Sequence, residues 1–439
     1  MKKLSYFLLA TLVCFSLSFV SCSDDPTGDP PPPSTPPVDN SEILSFPFST
    51  LSPEAQKEKI ATEANAFLGA MNDMPSGNCL SVLKAFNNLL LIAEPNGLDG
   101  LGSSEDIIYI KDFYGKYTWN AQKRKWDTAE NSSQLEFNFP VGEKTAKISI
   151  TGVASDVNVE MFGDEYYDYY EGERVEESQK IQLPKELTAK IYLANQEVGS
   201  INAKSNIVDD KTAPSLTEVK YVMDDYTLTM VAAKKTPNVA TATLKKGSRV
   251  LIDATADLTA NVDNAINDKD PGAMKGNLII RIMDNLAIAG NIDVDKYIDA
   301  MNKADEIYDQ NKPGEELDKE YCEASAKAFN NNTNLYIASL SERAKFAKII
   351  EGVKEYTESY WDYDWDYQYD WYTRKYLYYE NDQWVAYDYP QTKLYTYTYW
   401  DSAIYFEFKD GSKSEIEAYF SEGFEIFMEN MMKFLREFQ

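Results

Sequence analysis

The fold class follows from the stretch at residues 135–150, which reads LEFNFPVGEKTAKISI. Apolar residues alternate with polar ones on both sides of a turn signal at Pro140-Val141-Gly142: Leu135, Phe137, Phe139, Ala146, Ile148 and Ile150. Successive side chains of a strand point to opposite faces of the sheet, so this alternation predicts two strands. The short connection between them predicts antiparallel pairing, with one covered face and one wetter face.

The same period of two extends over residues 107 to 289, for example in Leu187-Thr-Ala-Lys-Ile-Tyr-Leu193 and Tyr226-Thr-Leu-Thr-Met230. Turn residues such as Lys246-Gly247 separate several of these runs. A parallel βαβ arrangement needs a helix between consecutive strands, and no helical pattern separates these runs. We therefore predict an antiparallel meander.

Helical patterns flank the meander. Ser52-Pro53-Glu54 predicts a helix start, and a second apolar stripe begins at Cys79, which together indicate an N-terminal helical hairpin. Helical spacing returns at 293–309 and 314–330, and strands resume near 334–356. A hairpin turn at Asp410-Gly411 is followed by an amphipathic C-terminal helix with a broad apolar face: Phe424, Phe427, Met431, Phe434, Leu435 and Phe438.

These patterns predict an α+β fold with an extensive antiparallel β meander, an N-terminal helical hairpin, a central helix pair and a C-terminal amphipathic helix. We divide the folded part into residues 43–290 and 291–439, with one continuous body as the alternative. The chain has 439 residues, of which 44% are hydrophobic and 13% aromatic, so it can form a substantial core.

The composition excludes several classes of function. The formal charge is −28, from 43 basic and 71 acidic residues, and this disfavours nucleic acid as a partner. Histidine is absent, which removes Ser-His-Asp catalysis, Cys-His catalysis and histidine-ligated metal sites. The sequence also lacks a nucleophile elbow, a Walker loop and a dinucleotide fingerprint. We predict no enzymatic activity and no cofactor.

The N-terminus has the layout of an export signal. Lys2 and Lys3 form a positive start, residues 4–20 form an apolar stretch, and Ser21-Cys22 follows it. This junction resembles the lipobox of bacterial lipoproteins, in which the cysteine is lipidated. The resemblance implies a signal peptide at residues 1–21 and lipidation at Cys22. A cleaved secretory peptide followed by an incidental cysteine is the alternative.

The segment after the cysteine predicts a stiff tether over residues 22–42. Seven prolines lie within residues 23–42, and a polyproline II segment of that length spans roughly 60 Å. Ser23-Asp24-Asp25 resembles the acidic export signal of Bacteroidota surface lipoproteins. A stiff tether would hold the folded part away from a bilayer.

Two further patterns resemble uncharacterised Bacteroidota (Bacteroidales) outer-membrane surface lipoproteins. One comprises Gly115, Tyr117, Trp119, Trp126 and residues 135–140, and the other comprises residues 406–411, 419–420 and 422–424. The resemblance implies an outer-membrane compartment and an α+β architecture, and it carries no activity. We expect a lipid-anchored protein on the cell surface, with a periplasm-facing orientation as the alternative.

The least ordinary segment is residues 356–405, where 20 of 50 residues are Tyr or Trp. Within it, residues 362–371 alternate acids and rings. A strand there would direct the aspartates Asp362, Asp364, Asp366 and Asp370 to one face, and the rings Tyr363, Trp365, Tyr367, Tyr369 and Trp371 to the other. The ring face is a candidate binding surface, because aromatic rings offer large, rigid contact areas. The alternative is that these rings pack on the core or bridge neighbouring strands.

The acidic residues suggest two further hypotheses. Asp362, Asp364 and Asp366 match the start of an EF-hand calcium loop, but Tyr367 and Thr373 stand where that loop needs Gly and Glu, so we rank calcium binding as weak. A second acidic-aromatic run at residues 164–171 lies between Gly163 and Gly172 and predicts a loop.

The folded part contains two cysteines, Cys79 and Cys322. They could form a disulfide in an oxidising compartment, or they could be two unrelated buried thiols. Nothing in the sequence places them together.

The sequence predicts a lipid-anchored, non-enzymatic surface protein whose aromatic-acidic β surface binds a glycan or a protein partner. A carrier of a hydrophobic ligand, held in a cavity between sheet and helices, is one alternative. A structural subunit of an outer-membrane assembly is another. Rings on an outward strand face would favour the first hypothesis, and a closed apolar cavity would favour the second.

Overall fold

The computed structural model describes residues 39–93, 95, 107–131, 133–168, 173–267, 269–307, 314–380 and 383–416. Within these ranges the chain is a mixed α+β protein, in which most strands lie in one long, largely antiparallel sheet accompanied by several helices. The predicted α+β class is confirmed at this level. The signal peptide, Cys22, residues 23–38 of the predicted tether and the predicted C-terminal helix lie outside the described residues. Residues 39–42, the last four of the predicted tether, are described, and a helix begins at Ser41.

The strands follow the period-two runs of the sequence. In chain order they are β1 (Ile107–Ile108), β2 (Gly115–Asn120), β3 (Lys125–Ala129), β4 (Leu135–Val141), β5 (Lys144–Asp168), β6 (Glu173–Leu193), β7 (Gln196–Ser205), β8 (Leu216–Met223), β9 (Tyr226–Ala233), β10 (Asn238–Lys246), β11 (Arg249–Thr259), β12 (Lys275–Ile282), β13 (Leu286–Asp293), β14 (Thr333–Ser339), β15 (Ala344–Tyr363), β16 (Tyr367–Asp370), β17 (Lys375–Glu380), β18 (Gln383–Tyr387), β19 (Thr392–Phe408) and β20 (Lys413–Glu415).

The α-helices are α1 (Ser41–Ser45), α2 (Pro53–Met71), α3 (Asn78–Ile92), α4 (Val262–Ala265), α5 (Val294–Asp305) and α6 (Gly314–Asn332), and short 3₁₀ turns lie at Met74–Ser76 and Ile110–Phe113. The predicted start of α2 is confirmed, because the Ser52 hydroxyl accepts a hydrogen bond from the Ala55 N–H and Pro53 is the first helical residue.

The chain divides into two compact units. The first contains Met1–Asp295, Thr333–Ile349 and Phe406–Gln439, and the second contains Lys296–Asn332 and Ile350–Tyr405. The chain passes from one unit to the other within α5, β15 and β19.

In the first unit, consecutive strands from β4 to β14 pair as an antiparallel meander, apart from the helical segments that interrupt the chain. The turn between β4 and β5 passes through Gly142, whose φ of +60° is readily adopted by glycine. Two of the described strand pairings are parallel: β2 lies beside β4, and β1 lies beside β6. The predicted meander is therefore confirmed.

The largest core cluster surrounds Phe137 of β4, which is completely buried. The rings of Phe86, Tyr117 and Trp126 lie 4.7, 5.2 and 5.5 Å from its centroid. Trp126 is also buried, and its indole N–H donates to the Ala93 carbonyl at the end of α3. Buried aromatic rings need a partner for each polar atom, and this arrangement supplies one.

The two N-terminal helices pack on different parts of the sheet. Ile60 of α2 belongs to a cluster with Leu286, Ile337 and Phe346, and α3 contributes Cys79, Val82 and Phe86 to the cluster around Phe137. Each apolar stripe is thus covered by strand side chains.

The run at residues 164–171 differs from its predicted loop. Residues 164–168 continue β5, and Glu165 to Asp168 pair with Glu176 to Glu173 of β6. Tyr is a strong strand former, and two tyrosines of this run, Tyr166 and Tyr167, fall within β5. The remaining residues, 169–172, lie outside the described residues.

Candidate functional site

The aromatic segment folds within the second unit, where β16, β17 and β18 form a separate three-stranded antiparallel sheet. Tyr367 lies opposite Tyr378, Tyr369 lies opposite Tyr376, and Tyr376 lies opposite Tyr387. Because facing residues of paired strands share a face, these tyrosines lie on one face of the small sheet.

The predicted single strand over residues 362–371 is interrupted. β15 ends at Tyr363, and β16 begins at Tyr367. The carboxylate of Asp364 accepts a hydrogen bond from the N–H of Asp366, two residues later, at 3.2 Å. Aspartate stabilises turns through such bonds and competes with the strand conformation. The alternating pattern therefore contains a turn that the period of two concealed.

The five predicted rings nevertheless come together in one continuous row, which we call the aromatic row. Its contacts run in the order Tyr363–Trp365 (6.0 Å between centroids), Trp365–Tyr367 (6.4 Å), Tyr367–Tyr376 (4.9 Å), Tyr376–Tyr369 (5.0 Å) and Tyr369–Trp371 (4.9 Å). Tyr376 of β17 joins the two halves. Most of these contacts are edge-to-face, which is a favourable arrangement for aromatic pairs.

The aromatic row combines exposed ends with a half-buried middle. Trp365 and Trp371 are 63% and 82% exposed, whereas Tyr367, Tyr369 and Tyr376 are half-buried. The middle rings thus bridge neighbouring strands, as one interpretation of the sequence predicts. The outer rings present their surfaces to solvent, as the other interpretation predicts.

The aspartates of this segment have local hydrogen-bond partners or cationic neighbours. The ammonium of Lys393 lies 3.9 Å from Asp364 and 3.8 Å from Asp366. Asp370 accepts hydrogen bonds from the Thr373 hydroxyl and the Tyr372 N–H, and these bonds lower the pKa of its carboxyl. Within the part of the chain that the structure describes, no group of three or more acidic or thiol side chains is arranged to hold a metal ion. The calcium hypothesis for Asp362, Asp364 and Asp366 gains no support from this geometry.

The buried side chain of Tyr378 holds together the chain segments that enter and leave the small sheet. The Tyr378 hydroxyl donates to the Asp364 carbonyl at 2.7 Å and accepts from the Gln391 N–H at 2.9 Å. The Asp364 N–H also donates to the Gln391 carbonyl at 2.7 Å. These bonds join the two ends of the excursion that contains β16, β17 and β18.

A second aromatic surface lies between β15 and β19, and we call it the tyrosine ladder. Its members are Tyr356 and Tyr360 of β15 together with Tyr395, Tyr397 and Tyr399 of β19. The stacked pairs are Tyr356–Tyr399 (5.4 Å, 16°), Tyr397–Tyr399 (5.6 Å, 24°) and Tyr360–Tyr395 (6.0 Å, 27°). Tyr360 and Tyr397 are 49% and 42% exposed and meet edge to face.

A single carboxylate lies within the tyrosine ladder. Glu358 accepts hydrogen bonds from the hydroxyls of Tyr397 and Tyr399, at 2.8 and 2.9 Å. These two bonds lower the pKa of Glu358. The same interaction raises the pKa of Tyr397, and it raises the pKa of Tyr399 to about 12. The carboxylate therefore stays charged and the phenols stay neutral over the whole neutral pH range.

The sequence interpretation missed Glu358 and the ladder as a unit. The signal was present in two period-two runs, Tyr356-Thr-Glu358-Ser-Tyr360 and Tyr395-Thr-Tyr397-Thr-Tyr399. What the sequence could not supply was their pairing. On the opposite face of the two strands, hydroxyl groups form the cross-strand contacts. The Thr357 hydroxyl lies 3.5 Å from that of Thr398, and the Ser359 hydroxyl lies 2.8 Å from that of Thr396.

Both cysteines of the folded part are buried and free. Burial, with a smaller effect of Asp224, raises the pKa of the Cys79 thiol to about 12. Burial also raises the pKa of Cys322, whose thiol lies 3.6 Å from the Trp400 carbonyl. Protonated thiols are poor nucleophiles, so neither cysteine is poised for covalent chemistry.

Comparisons with known proteins return no relative. No protein-family model matches the chain, and no curated protein and no solved structure matches it. Among the described residues, none of the helices has the length and apolar character required to cross a bilayer. The candidate site is therefore interpreted from its own geometry.

Proposed function

We propose that the protein is a lipid-anchored, non-enzymatic surface protein of the bacterial outer membrane, and that its aromatic row binds a partner macromolecule. The observation that carries this proposal is the solvent exposure of Trp365 and Trp371, which lie on either side of the half-buried middle of one continuous row of rings. Large apolar rings that remain exposed in a folded chain are typical of binding surfaces.

The row fits a ligand with flat or extended surfaces. Its middle rings are fixed by contacts with Tyr376, so a ligand would meet a preorganised surface and little ordering free energy would be lost on binding. Tyrosine hydroxyls and the neighbouring aspartates supply hydrogen-bonding groups beside the rings. Glycans and proteins both present the mixture of apolar and hydrogen-bonding surface that such a site takes.

The binding test compares two variants of the purified full chain. Trp365→Ala combined with Trp371→Ala removes the two most exposed rings of the row. Tyr389→Ala removes an exposed ring of the same unit that is outside the row. We expect ligands from a glycan array, or from a panel of purified envelope proteins, to lose at least tenfold in affinity with the first variant only. Unchanged binding together with lower thermal stability would show that the rings serve folding.

The anchor is tested separately. We expect radiolabelled palmitate to be incorporated into the wild-type chain and not into the Cys22→Ser variant, and we expect that variant to leave the membrane fraction. Each buried acyl CH₂ contributes about 0.8 kcal/mol, so loss of the acyl chains would release the protein. Equal membrane retention of the two chains would refute lipid anchoring at Cys22. Protease accessibility on intact cells would then distinguish the surface from the periplasmic orientation.

A further inference from the structure

The tyrosine ladder consists of rings other than those of the aromatic row. Strand alternation places Tyr356, Glu358 and Tyr360 on one face of β15, and Tyr397 and Tyr399 contact that same face from β19. The carboxylate and the ring faces are thus presented together. In the aromatic row, by contrast, Asp370 lies beside Gln368 on the face of β16 opposite to Tyr367 and Tyr369.

Two lysines of the chain lie over rings at the ends of the ladder. Lys354 lies 5.1 Å from the centroid of Tyr356, at one end of the ladder, and Lys393 lies 5.7 Å from the centroid of Tyr395, at the other end. The negative ring face attracts cations at such distances. The middle of the ladder, around Glu358, combines exposed Tyr360 and Tyr397 with a full negative charge.

The charge of the segment selects the sign of the ligand. Residues 356–405 contain nine acidic and three basic residues, within a chain of net charge −28. An anionic ligand would be repelled, a neutral ligand would leave the carboxylate without a charged partner, and a cationic ligand would be attracted.

The geometry of the carboxylate selects a guanidinium among cations. An ionised carboxylate has about four acceptor positions, and the two phenols use two of them. Guanidinium is planar, so it stacks on tyrosine faces while it donates to a carboxylate, whereas an ammonium group cannot stack. We propose that the tyrosine ladder binds an arginine side chain of a protein partner, with the guanidinium against Glu358 and over the ring of Tyr397, beside the ring of Tyr360. This proposal rests on the proposed function of the protein as a binding protein, but not on the aromatic row.

The test uses synthetic triarginine, with tricitrulline as its uncharged isostere and trilysine as its ammonium counterpart, titrated calorimetrically into the purified full chain. We expect triarginine to bind about tenfold more tightly than trilysine and tricitrulline not to bind measurably. Equal binding of the three peptides, or no binding of triarginine, would overturn the proposal.

Matched variants separate a specific site from general attraction. Glu358→Gln removes the carboxylate of the ladder, and Glu355→Gln removes the same charge from the opposite face of β15. We expect about a tenfold loss of triarginine affinity with Glu358→Gln and less than a twofold loss with Glu355→Gln. Equal losses would show a diffuse electrostatic effect and would overturn the proposal.

A second pair of variants guards against misfolding. Tyr397→Phe keeps the ring and removes the hydroxyl, and Tyr397→Leu removes the ring. We expect Tyr397→Phe to retain triarginine binding within twofold and Tyr397→Leu to lose it, at equal far-ultraviolet circular dichroism. Loss with both variants would assign the effect to the hydrogen bond and would contradict stacking.

The outcomes also separate this inference from the proposed function. A ligand whose binding depends on Trp365 and Trp371 but not on Glu358 would support the aromatic row as a binding site. If triarginine fails to bind in the same experiments, the ladder is refuted as an arginine site while the proposed function stands. Triarginine binding that depends on Glu358 but not on the two tryptophans would support the ladder and leave the aromatic row without a ligand.

Discussion

The hydroxyl of Tyr399 donates a 2.9 Å hydrogen bond to Oε1 of Glu358, and the ring of Tyr399 stacks on Tyr356 of the neighbouring strand. One tyrosine thus supplies both a polar and an apolar contact between β15 and β19. Both contacts lie on an exposed face, so the interaction can be followed by titration.

The first prediction concerns pH. The pKa of Tyr399 is raised to about 12, above the ordinary value near 10, so its contribution to stability is complete below pH 10 and is lost as the pH rises towards 12. The pKa of Glu358 is lowered, so its contribution is present above its ordinary pKa and is lost as the pH falls through the lowered value. Ultraviolet titration of tyrosinate should show two tyrosines ionising at lower pH in Glu358→Gln than in the wild type. Superimposable titration curves would contradict the hydrogen bonds.

The second prediction concerns the core of the first unit. Phe137→Ala should destabilise that unit by about 3–5 kcal/mol, because the ring is completely buried among Phe86, Tyr117 and Trp126 and its removal leaves a cavity. Val208→Ala, at an exposed position, should change stability by less than about 0.5 kcal/mol. Urea unfolding followed by tryptophan fluorescence measures both. Similar midpoints for the two variants would argue against this core.

The third prediction concerns the start of α3. Its N-terminal cap comes from a distant turn, because the Cys79 N–H donates to the Asp224 carboxylate at 3.0 Å. Asp224 has a φ of +49°, which Asn tolerates better than Ala. We expect a loss of about 1–2 kcal/mol for Asp224→Ala and a few tenths of a kcal/mol for Asp224→Asn, by denaturant titration. Asp225→Ala, at the exposed next position, is the control; if it cost as much as Asp224→Ala, capping would not be the cause.

The fourth prediction compares two glycines. A Cβ added at Gly69, within α2, meets open space, so Gly69→Ala should stabilise the protein by about 0.5–1 kcal/mol. A Cβ added at Gly290 of β13 would collide with the Asn334 carbonyl oxygen and lie 2.7 Å from the Leu335 Cα, both in the backbone of β14. Gly290→Ala should therefore cost at least about 2 kcal/mol. Thermal unfolding should move the two midpoints in opposite directions, and shifts of the same sign would refute this assignment.

Local signals in the sequence predicted most elements correctly. Ser52 and Pro53 gave the start of α2, and Asp410-Gly411 gave the turn after β19, where Gly411 has a φ of +84°. These signals succeed because capping and turn geometry depend on residues within four positions of one another. The break between Tyr363 and Tyr367 was not predicted, because Asp364 fits an alternating strand as well as it fits a turn.

Long-range relationships could not be predicted in the same way. Three relationships join residues that are far apart in sequence or on different strands. They are the parallel pairing of β2 with β4, the bridging position of Tyr376 and the two hydrogen bonds to Glu358. Five of the six rings of the aromatic row were identified from their spacing, but their order of contact depends on the sixth ring, Tyr376 of β17. Period-two spacing shows which side chains share a face of one strand. Only the register of strand pairing shows which side chains of the next strand contact them.

The hydrogen bonds of Tyr378 fix both ends of the segment that contains β16, β17 and β18. The Tyr378 hydroxyl bonds to the backbones of Asp364 and Gln391, and these two backbones also bond to each other. None of these hydrogen bonds depends on the identity of the outward side chains. Substitutions at the exposed residues Trp365, Trp371 or Trp384 could therefore be accepted without loss of these hydrogen bonds. If the aromatic row binds as proposed, such substitutions would change the ligand and would leave these backbone hydrogen bonds intact.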